Sequence, residues 1–172
     1  TDYGVMGRVM IFATLSYILV EGGLTAALVR TKEITKEHTN TVFYSNLAVS
    51  ISLYIIFFFA APLIANFFSQ KGLTPLIRVT NLALIFNSLY IVPYGLIERE
   101  LNFKKLAKIN FISTTLSGLS GAVSAYYNMG VWALVIQQTS YHFIRSICFY
   151  IWQRWLPSLI FSKKVFKEYA SF

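Results

Sequence analysis

Gln138, His142 and Arg145 stand at i, i+4 and i+7 inside a long apolar stretch. That spacing places an amide, an imidazole and a guanidinium on one face of a helix. The chemistry such a face offers is anion recognition: arginine supplies a fixed charge and paired N–H donors, and the other two add polar lining. Gln137 and Tyr141 flank the stripe. The plainer reading of His142 is a hydrogen-bonded interior side chain. Glu21 is the acidic counterpart. It lies nine residues before Arg30, as Arg145 lies nine before Arg154. At the rise of a helix, both sit about 13 Å from the basic end of their segments. Matched depth permits an ion pair, and ionisable groups at such depth face a cavity or a partner. Arg145 is then an anion contact with Glu21 as counter-ion or coupling-ion site, a structural ion pair, or an arginine snorkelling to the interface. Arg78, near the opposite end of another apolar stretch, reads as an interfacial anchor or as a contact at a cavity mouth.

Other chemistry has no residues to carry it. Glu98 and Glu100 flank Arg99 and read as a solvated boundary, not a paired-carboxylate site. His38 and His142 are far apart, and no cysteine supports a metal cluster around either. There is no phosphate-binding glycine-rich loop and no nucleophile with a base. The residues call for no cofactor and give no enzyme signature.

The elements that must position these side chains are five apolar segments, about 9–29, 42–68, 76–97, 107–127 and 131–151. Each holds about 20 residues or more, enough to cross a hydrocarbon core as a helix. They are too long and unbroken for the strands of a membrane barrel. The expected fold is all-α, a polytopic transmembrane helix bundle forming a single domain, with 152–172 as a cytoplasmic or interfacial tail. The basic residues alternate by loop. Eleven of the 15 fall on one side: Arg30, Lys32 and Lys36, then Arg99, Lys104, Lys105 and Lys108, then Arg154, Lys163, Lys164 and Lys167. Arg8, Lys71 and Arg78 fall on the other. The positive-inside rule places the first set in the cytoplasm, so the first span enters from outside.

Composition agrees. Of 172 residues, 56% are apolar and 17% aromatic, more than one soluble core of this size uses. The net charge of +8 is accounted for by topology and by contact with anionic membrane lipids, so no nucleic-acid partner is needed. The single Cys148 lies inside the last span and excludes a disulfide framework. The chain opens Thr1-Asp2-Tyr3-Gly4 and ends abruptly at Phe172, which reads as a fragment whose partners include the missing helices of the same chain.

Local signals refine the elements. Thr35 suits a helix N-cap with Glu37 in the first turn, and Thr74-Pro75 another. Asn128-Met129-Gly130 reads as a tight turn between two antiparallel helices. Pro62 and Pro93 kink or terminate their helices, and Pro157 marks the end of the fifth helical region. Ser113, Ser117, Gly121 and Ala125 repeat every four residues, beside a stripe of Thr114, Gly118 and Ala122. Small residues so spaced let helices approach closely, or form a face that slides. Asn46, Asn81, Asn87 and Asn110 are candidates for hydrogen bonds between helices. Phe161–Phe172 mixes lysines with Val165, Phe166 and Tyr169, as an amphipathic interfacial segment or a basic linker does.

The order of segments resembles a known family. The residues that carry the likeness are Asp2-Tyr3-Gly4, then Gly23 to Arg30 (GLTAALVR), and Ala61-Pro62-Leu63-Ile64-Ala65 with Phe67-Phe68. Pro75 to Arg78, Glu98 to Lys104 (ERELNFK), Gly130 to Val135 (GVWALV) and Trp155-Leu156-Pro157 with Phe161-Ser162 follow. The chain resembles the polysaccharide-biosynthesis flippases of the multidrug/oligosaccharidyl-lipid/polysaccharide exporter superfamily. The resemblance implies a two-lobed exporter of twelve to fourteen helices, of which this chain would be helices two to six. It implies a lipid-linked oligosaccharide substrate carried by a polyprenyl pyrophosphate, moved across the bacterial inner membrane by alternating access. Coupling to polysaccharide polymerase machinery is a further implied partnership. Arg145, Gln138, His142 and Arg78 are the expected substrate contacts, and Glu21 the counter-ion. Alternatives on the same fold are a drug/cation antiporter and a peptidoglycan-precursor flippase. Alternatives of another class are a membrane enzyme of polysaccharide assembly and a non-transporting membrane scaffold.

Overall fold

A computed structural model describes residue 7 and the segments 34–70 and 72–170, with 168–170 as backbone alone. The expected first span, with Glu21, lies outside the described residues. Four long helices and one short one follow: α1 Lys36–Phe67, α2 Leu73–Arg99, α3 Phe103–Tyr126, α4 Val131–Gln153 and α5 Lys163–Ala170. No strand occurs among the described residues. The chain folds as an all-α membrane helix bundle. By length and composition α1 and α2 each suffice to cross a membrane.

The long helices overlie the apolar runs expected from 42–68, 76–97, 107–127 and 131–151, and the caps explain where they differ. α1 begins six residues before its apolar run because Thr35 caps it. The Thr35 N–H donates to Nδ1 of His38 at 3.3 Å, and the Thr35 hydroxyl lies 2.7 Å from the same nitrogen. A histidine thus fills the role that glutamate plays in a capping box. α2 starts at Leu73, with Gly72 as cap instead of the expected Thr74. Leu73 is buried against Ala61 and Ala65, so packing extends the helix backwards. α3 is capped by Asn102, whose side chain accepts from the Lys105 N–H at 3.1 Å.

The turn at 128–130 is as tight as expected. Asn128 takes the left-handed conformation at φ 58°. Its N–H donates to Ala125 O, and the Met129 N–H donates to Ser124 O, the paired bonds of a Schellman end. Gly130 follows at φ 55° and ψ −127°, a region that side chains exclude.

α1 pairs with α2 and α3 with α4, each as an antiparallel hairpin, and α2 packs on α4 to join them. The spatial order is therefore α1, α2, α4, α3. α2 and α4 run parallel: Val79 meets Thr139, Phe86 meets Phe143, and Tyr94 meets Phe149. Three apolar clusters hold the bundle. Ala61, Ala65, Leu73, Leu76, Ile77 and Val135 fill one end. Tyr90, Ile97, Leu106, Ile109, Cys148 and Phe149 fill the α2–α3–α4 junction. Val42, Phe43, Ile91, Val92 and Val165 tie α5 to the α1–α2 hairpin. The flanking helices α1 and α3 expose Ile56, Phe59, Leu63, Phe111, Leu119 and Val123, apolar surface that suits lipid and not water.

The stripe of Ser113, Ser117 and Gly121 is buried, while Thr114, Ala122 and Ala125 are exposed. A Cβ at Gly121 would stand 2.9 Å from Cβ of Gln137, so the missing side chain is what lets α3 lie against α4. The asparagines behave differently from expectation. Asn81 donates within its own helix to Ile77 O at 2.8 Å. Nδ2 of Asn46 and Asn87 and Oδ1 of Asn110 are buried without hydrogen-bond partners among the described residues. Among the described residues these four side chains make no hydrogen bond to another helix.

Candidate functional site

Arg145 is half-buried on α4, where it faces α2. Its guanidinium carbon lies 4.8 Å from the centre of the Tyr90 ring. Tyr94 and Tyr141 are each 5.6 Å away, and Phe149 is at 5.7 Å. Four aromatic rings thus surround one cation. Their negative faces attract the charge and compensate part of what it loses by leaving water, the more so where the site is dry. Nη1 donates to Tyr90 Oη at 3.4 Å, and Nε is buried without a hydrogen-bond partner among the described residues. Arginine has five N–H donors. Among the described residues the Tyr90 hydroxyl engages one of them, so the cation is held by its faces while its edge keeps donors in reserve.

Tyr90 is the hinge-pin of the cluster. It is 4% exposed, and its hydroxyl also lies 3.1 Å from Nδ1 of His142. Its ring stacks on Phe149 at 5.3 Å. His142 is buried and meets the Tyr141 ring edge-on at 5.1 Å. The plainer expectation for His142, a bonded interior side chain, matches this geometry. Gln138 is half-buried one turn earlier on the same helix.

The cluster is possible because α2 and α4 run parallel at matching heights. Tyr90 and Tyr94 are one turn apart on α2, as Arg145 and Phe149 are on α4. Sequence reasoning found the α4 half from its polar stripe. It missed Tyr90 and Tyr94, whose signal was a tyrosine pair at i, i+4 within a span.

Arg78 is not part of this cluster. It lies twelve residues before Tyr90, about 18 Å along α2. Its guanidinium stacks on the Phe58 ring at 4.0 Å, and its Nε donates to Phe58 O at 3.2 Å. Glu21 lies outside the described residues. No group of three metal-ligating side chains occurs among the described residues.

A second concave region lies at the junction of α3 and α4, formed by Asn102, Lys104, Lys105, Lys108 and Trp152, with a volume of about 370 Å³. Lys105 Nζ donates there to Gln153 Oε1 at 2.6 Å, and Gln153 Nε2 donates to Glu100 Oε1 at 3.3 Å.

Curated relatives align with the chain, three of them as follows. It is 26% identical over 162 residues to the teichuronic acid biosynthesis protein TuaB of Bacillus subtilis, covering 90% of this chain and 32% of the relative. It is 27% identical over 162 residues to the succinoglycan biosynthesis transport protein ExoT of Rhizobium meliloti, covering 94% and 33%. The lipopolysaccharide biosynthesis protein WzxC of Escherichia coli is 25% identical over 132 residues, covering 73% and 26%. The chain therefore spans about a third of the length of these relatives. No solved structure matches it. One protein family, described as polysaccharide biosynthesis protein, matches the whole of residues 1–172, and the chain belongs to that family.

Proposed function

We propose that the full-length protein exports a lipid-linked saccharide for surface polysaccharide assembly. In this reading it flips a polyprenyl-pyrophosphate-linked oligosaccharide across the bacterial inner membrane by alternating access. The observation that carries the reading is Arg145: a cation at membrane depth, boxed by four aromatic rings, with N–H donors beyond the one given to Tyr90. A pyrophosphate is a dense anion whose crossing needs a positive partner at mid-depth. A guanidinium matches phosphate oxygens in plane, and the rings hold that plane in place. His142 fixes Tyr90, and Gln138 lines the same helix face one turn away. Family membership and the ExoT relative, named as a transport protein, support export as the wider role. Glu21 is the proposed counter-ion. The multi-pass arrangement with the basic loops in the cytoplasm belongs to the same proposal, as does coupling to a polysaccharide polymerase.

Arg145→Ala in the full-length protein tests it. Surface polysaccharide should fall to background while the variant still reaches the membrane in normal amount. Arg145→Lys should restore little, because an ammonium lacks the planar fork and stacks less well. Wild-type surface polysaccharide from Arg145→Ala would overturn the anion-contact role.

A further inference from the structure

Among the described residues, the carbonyls of Phe58 and Leu89 each lose their regular helical donor four residues on to a proline, and both are capped from a neighbouring helix. Proline has no N–H, so a proline inside a helix leaves the carbonyl four residues earlier unpaired. Pro62 lies inside α1 and frees the carbonyl of Phe58. Pro93 lies inside α2 and frees that of Leu89. Arg78 Nε, from α2, donates to Phe58 O at 3.2 Å. The Tyr150 hydroxyl, from α4, donates to Leu89 O at 2.9 Å. Both side chains are half-buried, and Arg78 also stacks on the Phe58 ring at 4.0 Å. By contrast, the cross-helix bond from Thr139 Oγ1 to Val79 O is longer, at 3.4 Å, and meets a carbonyl with no proline four residues on.

We propose that Arg78 and Tyr150 are positioning residues for transport, releasable caps on hinges at Pro62 and Pro93. The proposal rests on the alternating-access reading. A helix broken at a proline bends readily there, provided the freed carbonyl keeps a partner. A cap from a neighbouring helix makes the bend depend on that neighbour's position. When the helices separate, the carbonyl loses its donor. When they close, the cap fixes the helix in one shape. The Pro62 cap lies toward the α1–α2 turn, and the Pro93 cap toward the α2–α3 turn. Arg145 meets α2 at Tyr90 and Tyr94, on either side of Pro93 in the chain and beside the second cap. A groove of about 310 Å³, lined by Phe86, Leu89, Phe143, Ile147, Tyr150 and Ile151, runs along the Pro93 cap. It gives the Tyr150 ring room to leave.

The test combines each cap with its proline in the full-length protein. Backbone hydrogen exchange is measured in lipid nanodiscs, and surface polysaccharide in cells. Tyr150→Phe keeps the ring and removes the donor. It should speed exchange over 89–97 by about fivefold to a hundredfold, the range that one unsatisfied buried carbonyl gives. Pro93→Ala returns a backbone N–H to Leu89 O, so it should slow exchange there and abolish the effect of adding Tyr150→Phe. A hinge needed for transport also requires Pro93→Ala alone to lower surface polysaccharide, whereas a structural cap predicts no loss. Arg78→Met with Pro62→Ala repeats the test over 58–66, so misfolding of one pair leaves the other to decide. Unchanged exchange in Tyr150→Phe, an equal acceleration in the Pro93→Ala background, or full export from Pro93→Ala would overturn the proposal. If Arg145→Ala keeps its polysaccharide while exchange follows the expected pattern, the transport reading fails and the carbonyl caps stand.

Discussion

The Tyr90 hydroxyl stands between two basic side chains, 3.1 Å from His142 Nδ1 and 3.4 Å from Arg145 Nη1. One oxygen therefore orders both, and its loss should be felt by both. Tyr90→Phe keeps the ring that stacks on Phe149 and the cation–π face, and removes the shared oxygen. We expect a stability loss of about 1–3 kcal/mol, the cost of leaving buried polar groups unpaired. Thermal unfolding of the purified protein measures it. The same variant should export less polysaccharide than wild type but more than Arg145→Ala, because the cation stays in its box. Much of this cluster was legible from the sequence on one side. The spacing of Gln138, His142 and Arg145 announces a polar face because helical periodicity is local. Tyr90 is 55 residues from Arg145, and nothing local states which two helices will touch. Arg78 shows the converse. Its charge suggested an interfacial anchor or a cavity-mouth contact, and the structure adds a bond to a carbonyl released by Pro62, visible when the α1–α2 register is known.

Among the elements, α3 and α4 approach closely at Gly121. A Cβ there would meet Gln137 Cβ at 2.9 Å, and that atom sits too near the backbone to swing aside. Gly118, three residues earlier, is open: a methyl added there would find no atom within 4 Å. The two glycines should therefore respond oppositely to the same change. Gly121→Ala should destabilise the hairpin by about 1–3 kcal/mol through overpacking. Gly118→Ala should be neutral or gain up to about 1 kcal/mol from helix propensity. Paired thermal unfolding curves distinguish them, and equal effects would refute the close-approach assignment. The four-residue stripe showed that α3 has a packing face, and burial of Ser113, Ser117 and Gly121 agrees. Ala125 belongs to the stripe by spacing yet is exposed, in the last turn of α3. The asparagines resisted the same reasoning. An amide in a helix can bond its own backbone, as Asn81 does to Ile77 O, and spacing does not say which choice it makes.

At the scale of the bundle, the order α1, α2, α4, α3 places the two parallel helices in the middle of the described four, with a lipid-compatible helix on either side. The helices themselves were legible from hydropathy, since length and apolar content are properties of each segment. Their neighbours were not, because the chain order gives two hairpins without saying which helix of each joins the other. The proposed orientation has a direct check in the full-length protein. A cysteine introduced at Met129 should react with a membrane-impermeant thiol reagent added outside intact spheroplasts. One at Asn102 should react only after the membrane is opened. The reverse pattern would invert the topology and with it the leaflet from which Arg145 is reached.

The segment after α4 closes on residues made long before it. The Ser158 N–H donates to Asn40 Oδ1 at 2.7 Å, and the Ser162 N–H to Thr41 Oγ1 at 3.0 Å. Those pairs are 118 and 121 residues apart. At a synthesis rate of roughly 5–20 residues per second, the start of α1 waits roughly 6–24 s for its partners. During that interval Asn40 Oδ1 and Thr41 Oγ1 lack these two donors. The bundle therefore acquires these long-range bonds only after the polypeptide has passed residues 158 and 162. Assembly of the described helices has a built-in clock, and the beginning of α1 is set only once the segment beyond α4 has been made.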